Sequence, residues 1–232
     1  MAEAAGTRRR ILDQAREVFV ERGFEAATIR EICRRAKANV AAVNYYFSSK
    51  EELYLAVIED LMDSSLERFP PLLGLGPDAP AEERLRAFVT SFLLRIVKGS
   101  DGADQERQGQ LIARELTTPS PKLERLVERY ARPQKVMLES IVAELLGPKA
   151  PRDVVRLCAY SVASQCLYAL YGRAMDALLD PGEGSLESGL DTLAEHIVAF
   201  SLAGIRCAGA QTAAFPPIKN QEGGRPLPPH KE

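Results

Sequence analysis

The stretch from Thr28 to Tyr54, TIREICRRAKANVAAVNYYFSSKEELY, decides the fold of this 232-residue chain. Thr28 stands three residues before Glu31, the spacing at which an N-cap hydroxyl and a returning carboxylate satisfy each other's backbone donors. Ile29, Ile32 and Cys33 then give a short helix its apolar face. Lys37-Ala38-Asn39 interrupts the pattern, and Asn39 is suited to cap a second short helix, VAAVNYYF. Ser48-Ser49-Lys50-Glu51-Glu52 opens another, with two carboxylates beside its positive N-terminal end. Two short helices joined by a tight turn have the length pattern of a helix-turn-helix, whose second helix enters the DNA major groove while the first crosses the backbone.

Upstream, Ile11, Leu12, Ala15, Val18 and Phe19 recur at three- and four-residue spacing from Thr7 to Arg22, and Gly23 ends that amphipathic helix. Charge is unevenly distributed around these segments. Residues 1–50 carry ten Lys/Arg against six Asp/Glu, leaving +4, whereas the whole chain is −2, so residues 51–232 are −6. A basic front unit on an acidic body points to a polyanionic partner.

Downstream, a long helix runs to about Phe69, and a loop rich in Pro and Gly follows at 70–80. Further helical segments are expected at 81–98, 103–117, 120–146, 152–179 and 185–207. No stretch alternates as a strand would, so the chain reads as all-α. Residues 208–232 are dense in Pro and Gly and read as a disordered tail. The four cysteines, Cys33, Cys158, Cys166 and Cys207, show no CxxC pair and only two histidines exist, so no metal site and no cofactor is expected. The stretch MAEAAGTRRR lacks the apolar run of a signal peptide. Residues 154–172, the most apolar region, are broken by Arg156, Ser161, Ser164 and Gln165, so they read as a buried helix and not a membrane span. A cytoplasmic location follows as the expectation.

The quoted stretch resembles the DNA-binding signature of TetR-family regulators: a Thr-led helix, an Ala-rich turn, a recognition helix ending in two aromatics and Phe, then Ser-Lys-Glu-Glu-Leu. The preceding ILDQAREVFVERGFEAATI is similar to that family's first helix and Gly-Phe turn. Lys37 stands where the family usually has a turn glycine, and Asn44 where it usually has a tyrosine. The resemblance implies a three-helix helix-turn-helix domain at 1–50 and a larger helical ligand-binding and dimerisation domain at 51–207.

Within the helix-turn-helix, chemistry assigns roles. Helix N-termini at Thr28 and Asn39 present N–H groups to phosphate. Lys37 and Lys50 add charge at either end of the recognition helix, and Tyr45 and Tyr46 can offer hydroxyls. Base reading falls to Val40, Ala41 and Asn44, since Asn pairs with adenine and small apolar groups meet thymine methyls. Val43, Phe47, Ile29, Ile32 and Phe19 read as core. Arg34 and Arg35 read equally as a solvated face.

The remaining helices are expected to dimerise the chain and to sense a small molecule. In the family the last two helices pair with those of a second chain, so Leu186, Leu190, Leu193, Ile197 and Phe200 become interface candidates. LIARELTTPSPKLERLVERYARPQKVMLESIVAELLG, SVASQCLYAL and HIVAFSLAGI are similar to the body of a CecR-like subgroup, which implies sensing of an antibiotic-like or apolar effector. Polar residues on apolar helices are candidate lining: Gln110, Arg114, Glu115, Tyr130, Ser161, Gln165, Tyr168 and Tyr171. Arg114 and Glu115 read equally as a structural ion pair, and His196 as a core or interface histidine.

The resulting expectation is a repressor that binds a palindromic double-stranded operator as a homodimer and is released by an effector. The alternative is a helical interaction adaptor or ligand-binding protein without DNA contact. An enzyme is disfavoured, because no GxGxxG, P-loop, GxSxG or HExxH occurs.

Overall fold

The computed structural model of the chain describes residues 2–98, 123–179 and 189–210, with side chains described over 6–96, 124–168 and 189–210. Every regular element among them is helical. They are α1 (Ala2–Ala26), α2 (Ile29–Ala36), α3 (Val40–Phe47), α4 (Lys50–Arg68), α5 (Ala81–Lys98), α6 (Leu123–Leu126), α7 (Arg132–Leu146), α8 (Arg152–Leu179) and α9 (Leu190–Ala210). The helix expected at 103–117 lies outside the described residues, as does the tail from 211 onward.

The capping signals perform as their chemistry requires. Thr28, Asn39 and Ser49 take extended backbone angles, and each side chain accepts a hydrogen bond from the amide three residues on. Gly23, at φ 71°, breaks the winding of α1 where the sequence places its end.

Among the described residues two apolar cores result. The first joins α1, α2, α3 and α4 through Ile11, Phe19, Ile32, Val43, Phe47 and Leu53, and it also takes in Leu126 and Tyr130. The second joins α5, α7, α8 and α9 through Leu85, Phe88, Ile141, Val162, Cys166 and Ile197. Burial pushes the Cys166 thiol up to about 12, which suits an inert core cysteine. Because Leu53–Leu61 are in the first core, α4 packs with the front unit along much of its length.

Between α6 and α7 the helix widens into one π turn, Val127–Ala131. The sequence supplies the cause. Pro133 has no N–H to give the Arg129 carbonyl and its ring crowds that group, so the winding loosens there. Gln134 Nε2 then donates to the Tyr130 carbonyl at 3.1 Å.

α9 corrects part of the expected interface. It has two apolar faces, and Leu190 and Ile197 lie on the inner one, 8% and 2% exposed, with Leu193 partly buried against the same core. Leu190 and Ile197 close the body of their own chain and are not free to meet a second one. Phe200, 64% exposed, lies on the outer face, where its ring stacks on His196 at 6.1 Å. Leu186 lies outside the described residues. By length and composition α9 could cross a membrane, but its inner face belongs to a helical core.

Candidate nucleic-acid interface

α2 and α3 are built so that one side holds the core and the other is bare. On α3, Val43 and Phe47 are buried, with Ala42 and Tyr46 partly buried beside them. At about 100° per residue the opposite arc carries Val40, Ala41, Asn44 and Tyr45. All four are exposed, Tyr45 at 81%. Tyr45 and Tyr46 touch edge to face at 5.0 Å, so Tyr46 braces its neighbour while its own ring leans on the core.

Thr28 Oγ1 accepts from the Glu31 amide at 3.2 Å and Asn39 Oδ1 from the Ala42 amide at 2.7 Å. Both side chains are therefore engaged in capping, and what these positions offer an anion is the remaining N–H groups of the first turn. Lys37 ends α2 in the left-handed region, φ 50°, a conformation that favours glycine. Lys37→Gly should accordingly raise Tm by roughly 1–4 °C while weakening DNA binding, and a thermal melt set beside a binding titration reads both effects.

Lys50 departs from expectation. Its Nζ lies 3.3 Å from the Glu25 carbonyl and 4.4 Å from the Phe24 ring centroid, so it folds back over the end of α1. Sequence reasoning named Lys37 and left Arg34 open, but it missed Arg30 and the stripe that the three form. Arg30 and Arg34 on α2 and Lys37 at its C-terminal cap lie at i, i+4 and i+7, all exposed, opposite Ile32, Cys33 and Ala36. Their spacing was the available signal. Arg34 touches Glu31 at only 3.4 Å and stays 73% exposed, and no ion pair engages Arg30 or Lys37 among the described residues. Arg35 is different. Its guanidinium holds Glu21 at 2.9 and 2.7 Å and Glu31 at 3.0 Å, tying α2 to α1. Its hydrogen bond keeps the Glu31 carboxyl below the usual range. Arg8 stacks over Phe47 at 5.1 Å, which puts a guanidinium beside the C-terminal end of α3.

α4 is gripped from both sides. Arg9 and Arg16 of α1 bond Asp60. From the α6 side, Arg125 reaches Glu59 at 2.9 Å, Arg129 reaches Asp63 at 2.8 Å, and the Tyr130 hydroxyl donates to Asp63 at 2.8 Å. Burial and the neighbouring Asp63 push that phenol upward, so it stays protonated as a donor. At the end of α4, Arg95 Nη1 donates to the Phe69 carbonyl and to Ser91 Oγ, both at 3.1 Å. Burial lowers the Arg95 guanidinium to about 10.

Among the described residues, the lining candidates Tyr130, Ser161, Gln165 and Tyr168 do not converge on one site. Tyr130 sits in this α4 clamp. Ser161 Oγ donates to the Leu157 carbonyl at 3.0 Å, and Gln165 Nε2 lies 3.2 Å from both the Ser161 carbonyl and Ser201 Oγ. Tyr168 is 55% exposed. Gln110, Arg114, Glu115 and the Tyr171 side chain lie outside the described residues. Among those described, no group of three His, Cys, Asp or Glu could hold a metal.

Comparison with known proteins adds to this geometry. "Bacterial regulatory proteins, tetR family" matches residues 11–57, and "HTH-type transcriptional dual regulator CecR, C-terminal domain" matches residues 81–205. CecR of Shigella flexneri is 30% identical over 177 residues, covering 72% of this chain and 76% of that protein. The chain is a CecR-like member of the TetR family. As a TetR-family regulator it is also 39% identical over 74 residues to UidR of Escherichia coli K12, a match spanning 32% of this chain and 38% of UidR. A crystal structure of AibR in complex with isovaleryl coenzyme A and operator DNA shares the fold at TM-score 0.59 and 19% identity, covering 84% of this chain and 97% of that one. These relatives are transcriptional regulators and not enzymes.

Proposed function

We propose that this TetR-family regulator binds a twofold-symmetric operator as a homodimer in the cytoplasm, acting as a repressor that a small molecule releases. The observation that carries the reading is the bare face of α3, with the remaining N–H groups of its first turn and the Arg30, Arg34, Lys37 stripe beside it. The face can enter a groove and the stripe can neutralise phosphates.

The pairing rests on α8 and α9. Leu157, Tyr160, Ser161, Ser164 and Tyr168 form an exposed row along α8, and His196, Ala199, Phe200, Ala203 and Cys207 form one along α9. The Gln165–Ser201 contact holds the two helices side by side. Apolar and small residues on a joint outer face suit packing against the same face of a second chain. Release follows from linkage: an effector that prefers a body conformation with a different α4 setting shifts the spacing of the two α3 helices, which must match roughly 34–36 Å. Gln110, Arg114, Glu115 and Tyr171 remain proposed lining.

The test is fluorescence anisotropy of the full chain on duplex fragments from upstream of its own gene. One fragment should bind, and its affinity should fall at least about 10-fold between 50 and 200 mM salt as counterions cease to be released. Salt-insensitive binding, or none, would remove the reading.

A further inference from the structure

The recognition helix contains no charged residue at all. Its eight positions read VAAVNYYF, and the outward arc offers two aliphatic side chains, one amide and one phenol. That inventory restricts what it can read. Guanine is most often recognised by a bidentate Arg or Lys, and cytosine by an acceptor such as Glu or Asp. Neither type stands on this face. The cations nearby are otherwise placed: Lys37 precedes the helix in the turn, Arg30 and Arg34 line α2, and Lys50 is folded against the Glu25 carbonyl.

Asn44 is the only outward group that can both donate and accept in one plane. Its side-chain amide makes no hydrogen bond among the described residues, and it is exposed. Such an amide matches N6 and N7 of adenine. Val40, 45% exposed, and Ala41 occupy the first turn, and small apolar groups meet the thymine C5-methyl. From residue 40 to residue 44 the helix rises about 6 Å, close to two base-pair steps of about 3.4 Å each.

We infer that the positions of each half-site lying under α3 are A·T pairs, with adenine opposite Asn44 and thymine methyls against Val40 and Ala41 within about two base pairs of it. This rests on the operator reading above and names its chemistry. G·C pairs, where the operator holds them, fall outside α3, under the flanking cations.

The test is selection of the full chain on a random duplex library, followed by atomic substitution in the selected site. A·T pairs should dominate the centre of both half-sites. Replacing the contacted thymines by deoxyuridine, which removes only the methyl, should weaken binding about 3-fold or more, and 7-deazaadenine opposite Asn44 about 10-fold. Asn44→Ala, at an exposed position that leaves the core intact, should erase the deaza penalty while keeping the salt dependence. Asn44→Arg should move the preference at that position to guanine. A consensus with fixed G·C pairs under α3, or full indifference to both atomic substitutions, overturns the inference while leaving operator binding standing. Failure to enrich any sequence overturns the operator reading and this inference with it.

Discussion

Phe200→Asp should yield a folded monomer whose affinity for a full operator is about 10²–10⁴-fold lower, because the second half-site no longer binds at the high effective concentration that pairing confers. Phe200 is 64% exposed on the outer row of α9, so the substitution removes nothing from the core beneath it, where Ile197 and Val198 are 2% and 1% exposed. In a packed pair the same carboxylate would be desolvated without a partner. Sedimentation of the variant should report one chain, its circular dichroism should match the parent, and its affinity for an isolated half-site should be unchanged. A variant that remains paired, or a monomer that holds the full operator as well as the parent does, would show that α9 is not the pairing surface.

Phe19→Ala should cost about 3–5 kcal/mol of stability, the range for deleting a large aromatic from a closed core. Phe19 is 0% exposed. Its ring meets Tyr54 edge-on at 5.1 Å and stacks on Phe24 at 6.2 Å. These rings join α1, the bend after Gly23 and α4, so one truncation opens a void where three segments converge. With total stability typically about 5–15 kcal/mol, Tm should fall roughly 6–20 °C and operator binding should be lost well before the body melts. Calorimetry of the full chain reads this, and a shift under about 2 °C would mean that the void is refilled.

Local chemistry made much of this protein legible from its residues. Thr28, Asn39 and Ser49 announce their helices because a cap is decided by a side chain and an amide three positions away, and the bare face of α3 follows from the burial of Val43 and Phe47. Contacts made across the chain were less readable. Leu190 and Ile197 have the composition of an interface, and only the packing of α5, α7 and α8 shows that they are core. Tyr130 reads as a polar residue on an apolar helix. Its partners Glu59 and Asp63 lie more than sixty positions away, so its place in the α4 clamp is fixed by tertiary geometry. Lys50 carries the right charge beside the recognition helix, yet the Phe24 ring and the Glu25 carbonyl draw it aside.

The π turn at Val127–Ala131 sets a rotational phase. Widening the winding by one residue displaces everything before it by about 100° around the helix axis relative to an unbroken continuation. Arg125, Arg129 and Tyr130 reach α4, while Leu138, Ile141 and Val142, further along the same rod, pack into the body. One continuous stretch of chain thus faces two cores at once. A twist of α7 driven from within the body would reach α4 through this widened turn, as a torque on three side chains.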